Sequence, residues 1–118
     1  MKLTLGDIRV MKDPMIKLLD DTLPIKVAWK LTKLVKVFDK ELAEIEEFRI
    51  SLIKKLGVQD DEGSIKVPED KMSDFIDEFN ELLLTEIDVD FEPIDIEQLG
   101  ESLSISTKDL ISLDKIFV

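Results

Sequence analysis

A chain of 118 residues with 44% hydrophobic and 36% charged content is long enough for one modest core, and its composition excludes a disordered segment. It contains neither cysteine nor histidine, which excludes disulfides, thiol nucleophiles, zinc sites of the usual ligand set and any mechanism built on a histidine base. The net charge of −11 is unevenly placed: residues 1–58 hold 12 basic against 9 acidic side chains (+3), and residues 59–118 hold 4 against 18 (−14).

The chain begins Met1-Lys2-Leu3-Thr4-Leu5-Gly6-Asp7. An acidic residue arrives before any apolar run, so no signal peptide is expected. No stretch reaches the roughly 18 uninterrupted apolar residues of a membrane span, which predicts a soluble, intracellular protein. Leu3, Leu5, Ile8, Met11, Met15, Leu18, Leu19 and Leu23 recur at mostly helical spacing. Asp13-Pro14 reads as an N-cap and first-turn pair, because proline in a first turn loses no needed N–H. The expectation is an irregular start followed by a short helix over 13–21. Thr22-Leu23-Pro24 then breaks the chain and restarts it.

The next helix is the clearest in the sequence. From 24 to 56, Leu31, Val35, Phe38, Leu42, Ile45, Leu52 and Leu56 follow steps of four and three, interrupted at Arg49 and widened by Val27, Leu34 and Ile53. At 1.5 Å per residue such a helix spans roughly 50 Å. Lys26, Lys30, Lys33 and Lys40 fall on about the opposite side, with Lys36 at the margin. Beyond Phe38 the exposed positions turn acidic: Asp39, Glu41, Glu44, Glu46 and Glu47. Ile25, Trp29 and Val37 lie near the lysines and away from the core stripe. A flat indole left in water wastes its apolar area, so one expectation is that the N-terminal helix folds back over Ile25 and Trp29. The alternative is a partner-binding or self-association patch, anchored by Trp29 and rimmed by lysines.

Gly57 ends the long helix, with Lys54 and Lys55 suited to its C-terminal dipole. Residues 59–63 read as a polar turn, and Ile65-Lys66-Val67 as a short extended segment. A second helix over 69–83 presents Met72, Phe75, Ile76, Phe79, Leu82 and Leu83 on one face. Its connection allows it to lie antiparallel to the second half of the long helix, giving a helical hairpin. The period then changes to two: Ile87, Val89 and Phe91 alternate with Asp88, Asp90 and Glu92, as on a half-buried strand, and Pro93 confines that strand to an edge or ends it. Ile94-Asp95-Ile96 continues the extended path, a helical turn follows at 97–99, and Gly100 stops it. Leu103 and Ile105 suit another short strand. Ser106-Thr107-Lys108-Asp109 opens a last helix that should bury Leu110, Ile111, Leu113, Ile116 and Phe117.

The acidic set Asp88, Asp90, Glu92 and Asp95 is the best candidate for chemistry, since hard cations take oxygen ligands. It lacks the glycine and downstream acid of a calcium loop, and the solvated side of an amphipathic strand explains it. Asp60-Asp61-Glu62-Gly63 reads as a turn. With four glycines in all, the chain has no phosphate-binding loop or dinucleotide fingerprint. Arginine occurs only at Arg9 and Arg49 and tyrosine is absent, so nucleic acid is not the expected partner of the lysine stripe. No metal, cofactor or catalytic residue is expected, and the protein is not expected to be an enzyme.

Several stretches together carry a resemblance. Leu23-Pro24-Ile25-Lys26 leads into Leu31-Thr32-Lys33-Leu34 and the long Glu/Lys helix. Leu56-Gly57-Val58 leads through Asp61-Glu62-Gly63-Ser64-Ile65-Lys66-Val67 to the second helix, and Glu86-Ile87-Asp88-Val89-Asp90-Phe91-Glu92-Pro93-Ile94 follows. Over about residues 22–99 this order resembles a family of small proteins of unknown function encoded by tailed phages and prophages of Gram-positive bacteria. The resemblance implies a phage setting, with roles in virion assembly or in interference with a host protein, and a location in the bacterial cytoplasm or on the virion. It supplies no catalytic residue.

The sequence therefore predicts a single domain over 1–118, α+β and mainly helical: a long helix with an antiparallel partner forming a hairpin, and small β elements near 65–67 and 87–96. The expected core draws on Leu31, Val35, Phe38, Leu42, Ile45, Leu52, Phe75, Ile76, Phe79, Leu83 and Phe91. The expected function is a non-catalytic protein–protein interaction module, a phage assembly or accessory factor that self-associates. Its partner-binding residues are Ile25, Lys26, Trp29, Lys30, Lys33, Asp88, Asp90 and Glu92. The alternative is an acidic inhibitor of a host nucleic-acid-binding protein.

Overall fold

A computed structural model describes residues 1–101 and 103–118. In chain order the elements are β1 (Lys2–Thr4), α1 (Leu5–Leu19), α2 (Ile25–Leu56), β2 (Val58–Gln59), β3 (Ile65–Lys66), α3 (Glu69–Leu83), β4 (Glu86–Asp88) and α4 (Thr107–Ser112), with 3-10 turns at Ile96–Leu99 and Asp114–Ile116. The fold is α+β and mainly helical, as the periodicity predicts.

α2 is the axis of the molecule. Its 32 residues make a rod of about 48 Å, and the whole protein measures 55 × 27 × 22 Å. The short link 20–24 turns the chain back, so α1 and α2 form an antiparallel hairpin, with Lys12 of α1 3.3 Å from Asp39 of α2. α3 runs back along the second half of α2, where Lys55 and Glu78 approach to 3.4 Å. The C-terminal end of α3 meets the start of α1: the Leu5 N–H donates to the Thr85 carbonyl at 3.0 Å, and the Arg9 guanidinium lies 5.2 Å from the centre of the Phe79 ring. The hairpin expectation holds, with α1 the more closely packed partner.

Two expectations about α1 are corrected. The helix starts at Leu5, not near Asp13, and Pro14 lies inside it. Its true beginning is a capping box: the Thr4 hydroxyl accepts from the Asp7 N–H at 3.0 Å, and the Asp7 carboxylate accepts from the Thr4 N–H at 2.9 Å. An internal proline costs about 3 kcal/mol. Here Leu5, Ile8, Met11, Met15 and Leu18 are all buried along the same helix, each stabilising by about 1.5–3 kcal/mol, so the helix continues through Pro14. The carbonyl that loses its partner belongs to Val10, an exposed residue.

The core combines this α1 stripe with Val27, Leu31, Leu34, Phe38 and Ile45 of α2, and with Leu3, Val89, Ile94, Leu99, Leu113 and Ile116. Val35, Leu42, Phe79, Leu83 and Phe91 pack against it half-buried. Leu52 is also buried. Two apolar residues read as core are instead on the surface: Ile76 is 48% exposed on α3 and Ile111 67% exposed on α4. Every residue of α3 is at least partly exposed, because α2 covers it from one side only.

The β elements are two separate antiparallel pairs. β2 and β3 form a hairpin, Val58 opposite Lys66 and Gln59 opposite Ile65. Its turn is tied by the Asp60 carboxylate, which accepts from the Glu62 and Ser64 N–H groups, both at 2.9 Å, with Gly63 at φ +85°. Gly57 is crowded from both sides: a Cβ there would lie 2.3 Å from the Ile53 carbonyl oxygen of α2 itself and 2.5 Å from the Ile65 side chain of the hairpin. β4 pairs with β1, Leu3 opposite Ile87, where the sequence suggested an irregular N-terminus. Beyond Asp88 the regular strand ends. Ile94 instead bridges Phe117, and Leu103 and Ile105 lie in irregular chain.

Candidate interaction surface

The first turns of α2 build the surface. Pro24 fixes the start of the helix without a side-chain cap; Val27 turns into the core, while Ile25 and Trp29 face away from it. Ile25 is 82% and Trp29 59% exposed. The N-terminal helix therefore does not cover them. The reason is geometric: α1 buries its single apolar stripe against Leu31, Leu34 and Phe38, on the far side of α2 from Ile25 and Trp29. One helix cannot cover both sides.

Lys33 turns its ammonium over the Trp29 ring, 5.3 Å from the centroid, so a cation sits on one face of an indole that is more than half open to solvent. The same lysine opens onto a groove of about 350 Å³ lined by Lys30, Lys33, Leu34, Val37, Val89, Asp90, Phe91 and Glu92. Its floor is apolar, contributed by α2 and by the chain leaving β4. One wall is cationic and the other anionic. The described ion pairs do not join Lys30 or Lys33 to Asp90 or Glu92, so the groove keeps two oppositely charged rims.

Of the eight residues singled out in the sequence, Lys30, Lys33, Asp90 and Glu92 are thus brought together, with Trp29 adjoining through Lys33. Ile25 and Lys26 stand exposed on the first turn of α2. Asp88 is drawn away from the groove to the β1 side, 3.4 Å from the Met1 amino group. Among the described residues no cluster of acidic side chains has the arrangement of a cation site. What the surface offers is apolar area edged by both signs of charge, a combination suited to orienting a protein or peptide surface.

Leu34, Val37 and Phe91 form the groove, yet sequence reasoning did not bring them together. The signal available was that Val37 is an apolar residue lying away from the core stripe of its helix. Among the described residues no helix is long and apolar enough to cross a membrane. Comparison of the chain with protein-family models, with curated proteins and with solved structures finds no match.

Proposed function

We propose that this protein is a non-catalytic protein–protein interaction module that engages its partner through the start of α2 and the adjoining groove. The observation that carries this reading is the exposure of Trp29 beside Ile25, with Lys33 over its ring and opening onto an apolar groove that has an acidic far wall. Tryptophan is the residue most often dominant in binding energetics, and a charged rim around an apolar anchor is the usual anatomy of an interface. The sequence resemblance to small phage and prophage proteins of Gram-positive bacteria supports reading the module as an assembly or accessory factor that acts in the bacterial cytoplasm or on the virion.

The test is capture by the tagged protein from host lysate, with and without phage, at low and high salt. Trp29→Ala is expected to weaken the captured complex by about 2 kcal/mol, roughly 30-fold, while the complex of the unaltered chain survives high salt. Equal capture by both proteins would contradict the reading. A second reading, an acidic inhibitor of a host nucleic-acid-binding protein, is supported by the −14 half, whose Glu69, Asp70, Asp74 and Asp77 lie exposed along α3. It makes the opposite demand on the same experiment: loss of the partner with salt and indifference to Trp29→Ala.

A further inference from the structure

The long helix exposes more than its first turns. At 100° per residue, Ile25, Trp29, Lys36, Ala43, Glu47 and Ile50 fall within an arc of about 60° that runs the length of α2. All six are exposed, and the ridge they form points away from the buried Leu31 and Phe38. Apolar residues lie towards its two ends, Ile25 and Trp29 at one and Ala43 and Ile50 at the other, with Lys36 in the middle and Glu47 between Ala43 and Ile50. The charges are polarised along the same ridge and its flanks. Lys26, Lys30, Lys33, Lys36 and Lys40 belong to the first half of the helix, and Glu41, Glu44, Glu46 and Glu47 to the part that follows.

We infer that this ridge pairs antiparallel with the α2 ridge of a second copy of the chain. The inference rests on the interaction reading above and names the partner of the Trp29 surface. Two observations select this occupant. The first is charge complementarity. With Ile25 of one copy opposite Ile50 of the other, Lys36 faces Asp39, which also pairs with Lys12 of its own chain, and Lys33 and Lys26 fall near Glu44 and Glu47. A two-fold axis repeats each contact, so the interface closes as a dimer. Parallel pairing would instead lay lysine on lysine and glutamate on glutamate, which helix pairs disfavour. The second is area. The chain exposes 8002 Å², whereas a folded monomer of 13.5 kDa exposes about 6,500 Å². The surplus of about 1,500 Å² exceeds the roughly 800 Å² per partner that a standard interface covers. The elongated shape that creates this surplus is set by α2 itself.

The absence of cysteine makes the orientation directly testable. Chains carrying Ile25→Cys are mixed with chains carrying Ile50→Cys and oxidised, alongside each variant alone, while sedimentation across a dilution series reports mass. The expected result is a concentration-dependent dimer in which Cys-variant positions 25 and 50 cross-link between chains, with little 25–25 product. Ile50→Lys, at a surface position, is expected to weaken the dimer at least about tenfold with an unchanged helical circular dichroism spectrum. A monomer at every concentration, or a dimer dominated by 25–25 cross-links, would overturn the inference. The two readings fail separately. If the chain is monomeric yet captures a foreign protein that Trp29→Ala loses and Ile50→Lys keeps, self-pairing falls and the interaction module stands. If neither substitution alters mass or capture, both fall.

Discussion

Asp7 shows how much a single side chain can organise. It closes the capping box with Thr4 and also receives the Lys115 ammonium at 2.8 Å, so it joins the start of α1 to the C-terminal segment. Partial burial pushes its carboxyl up, but the Lys115 hydrogen bond and the Thr4 backbone and side-chain hydrogen bonds outweigh this and hold it below its ordinary value of 3.8. A carboxyl depressed in the folded state stabilises the fold above its unfolded value and loses that contribution as pH falls through the folded one. Asp7→Asn is therefore expected to cost about 1 kcal/mol at neutral pH. The difference from the unaltered chain should shrink as the pH is lowered below 3.8. Denaturant melts of the two proteins at neutral and acid pH check this, and a pH-independent difference would contradict the role given to the charge. The Thr4-x-x-Asp7 spacing that defines this cap was present in the sequence. It was hidden by Asp13-Pro14, which offered a second start that local chemistry favours and tertiary packing overrides.

At the level of elements, legibility followed periodicity. α2 and α3 were readable because many turns repeat one pattern, and α2 begins and ends within a residue or so of the positions predicted by Pro24 and Gly57. β4 was located by its alternation, but its partner β1 was not. Three residues carry too little pattern to announce a strand, and pairing across more than eighty residues is a tertiary event. Periodicity also assigns faces without saying which neighbour covers them. Phe38 and Ile76 occupy equivalent apolar stripes on their helices, yet Phe38 is fully buried between α1 and α2 while Ile76 lies on the open side of α3. Phe38→Ala is therefore expected to cost about 3–5 kcal/mol, and Ile76→Ala less than about 1 kcal/mol. Chemical denaturation of the two variants tests the distinction. Comparable losses would mean that α3 is covered in the free protein.

For the whole molecule, shape is the informative property. A radius of gyration of 17.8 Å compares with about 13–14 Å for a compact chain of this length, because α1 and α3 lie along a helix longer than either. The roughly 50 Å length of α2 was legible from its periodicity. The sequence also picked out four of the residues that meet at the groove, since lysines on one helix and acids on one strand are visible as patterns. The juxtaposition itself was not visible, because it depends on β4 being held beside the first half of α2 by β1. Nor was the fate of Trp29: the indole's apolar area favours a residue covered by the N-terminal helix, and only the placement of α1 on the other side of α2 leaves it exposed.

Trp29 is the single tryptophan of the chain, so its fluorescence reports on this surface alone. The measurement that bears most directly on the role given to it is quenching by acrylamide across a dilution series, in the unaltered chain and in Ile50→Lys. The expected result is ready quenching and water-like emission in dilute solution and in Ile50→Lys, with protection and a blue shift as the unaltered chain is concentrated. A blue-shifted, protected tryptophan at every concentration in both proteins would place Trp29 in the core of the lone chain and contradict its assignment as an interaction residue.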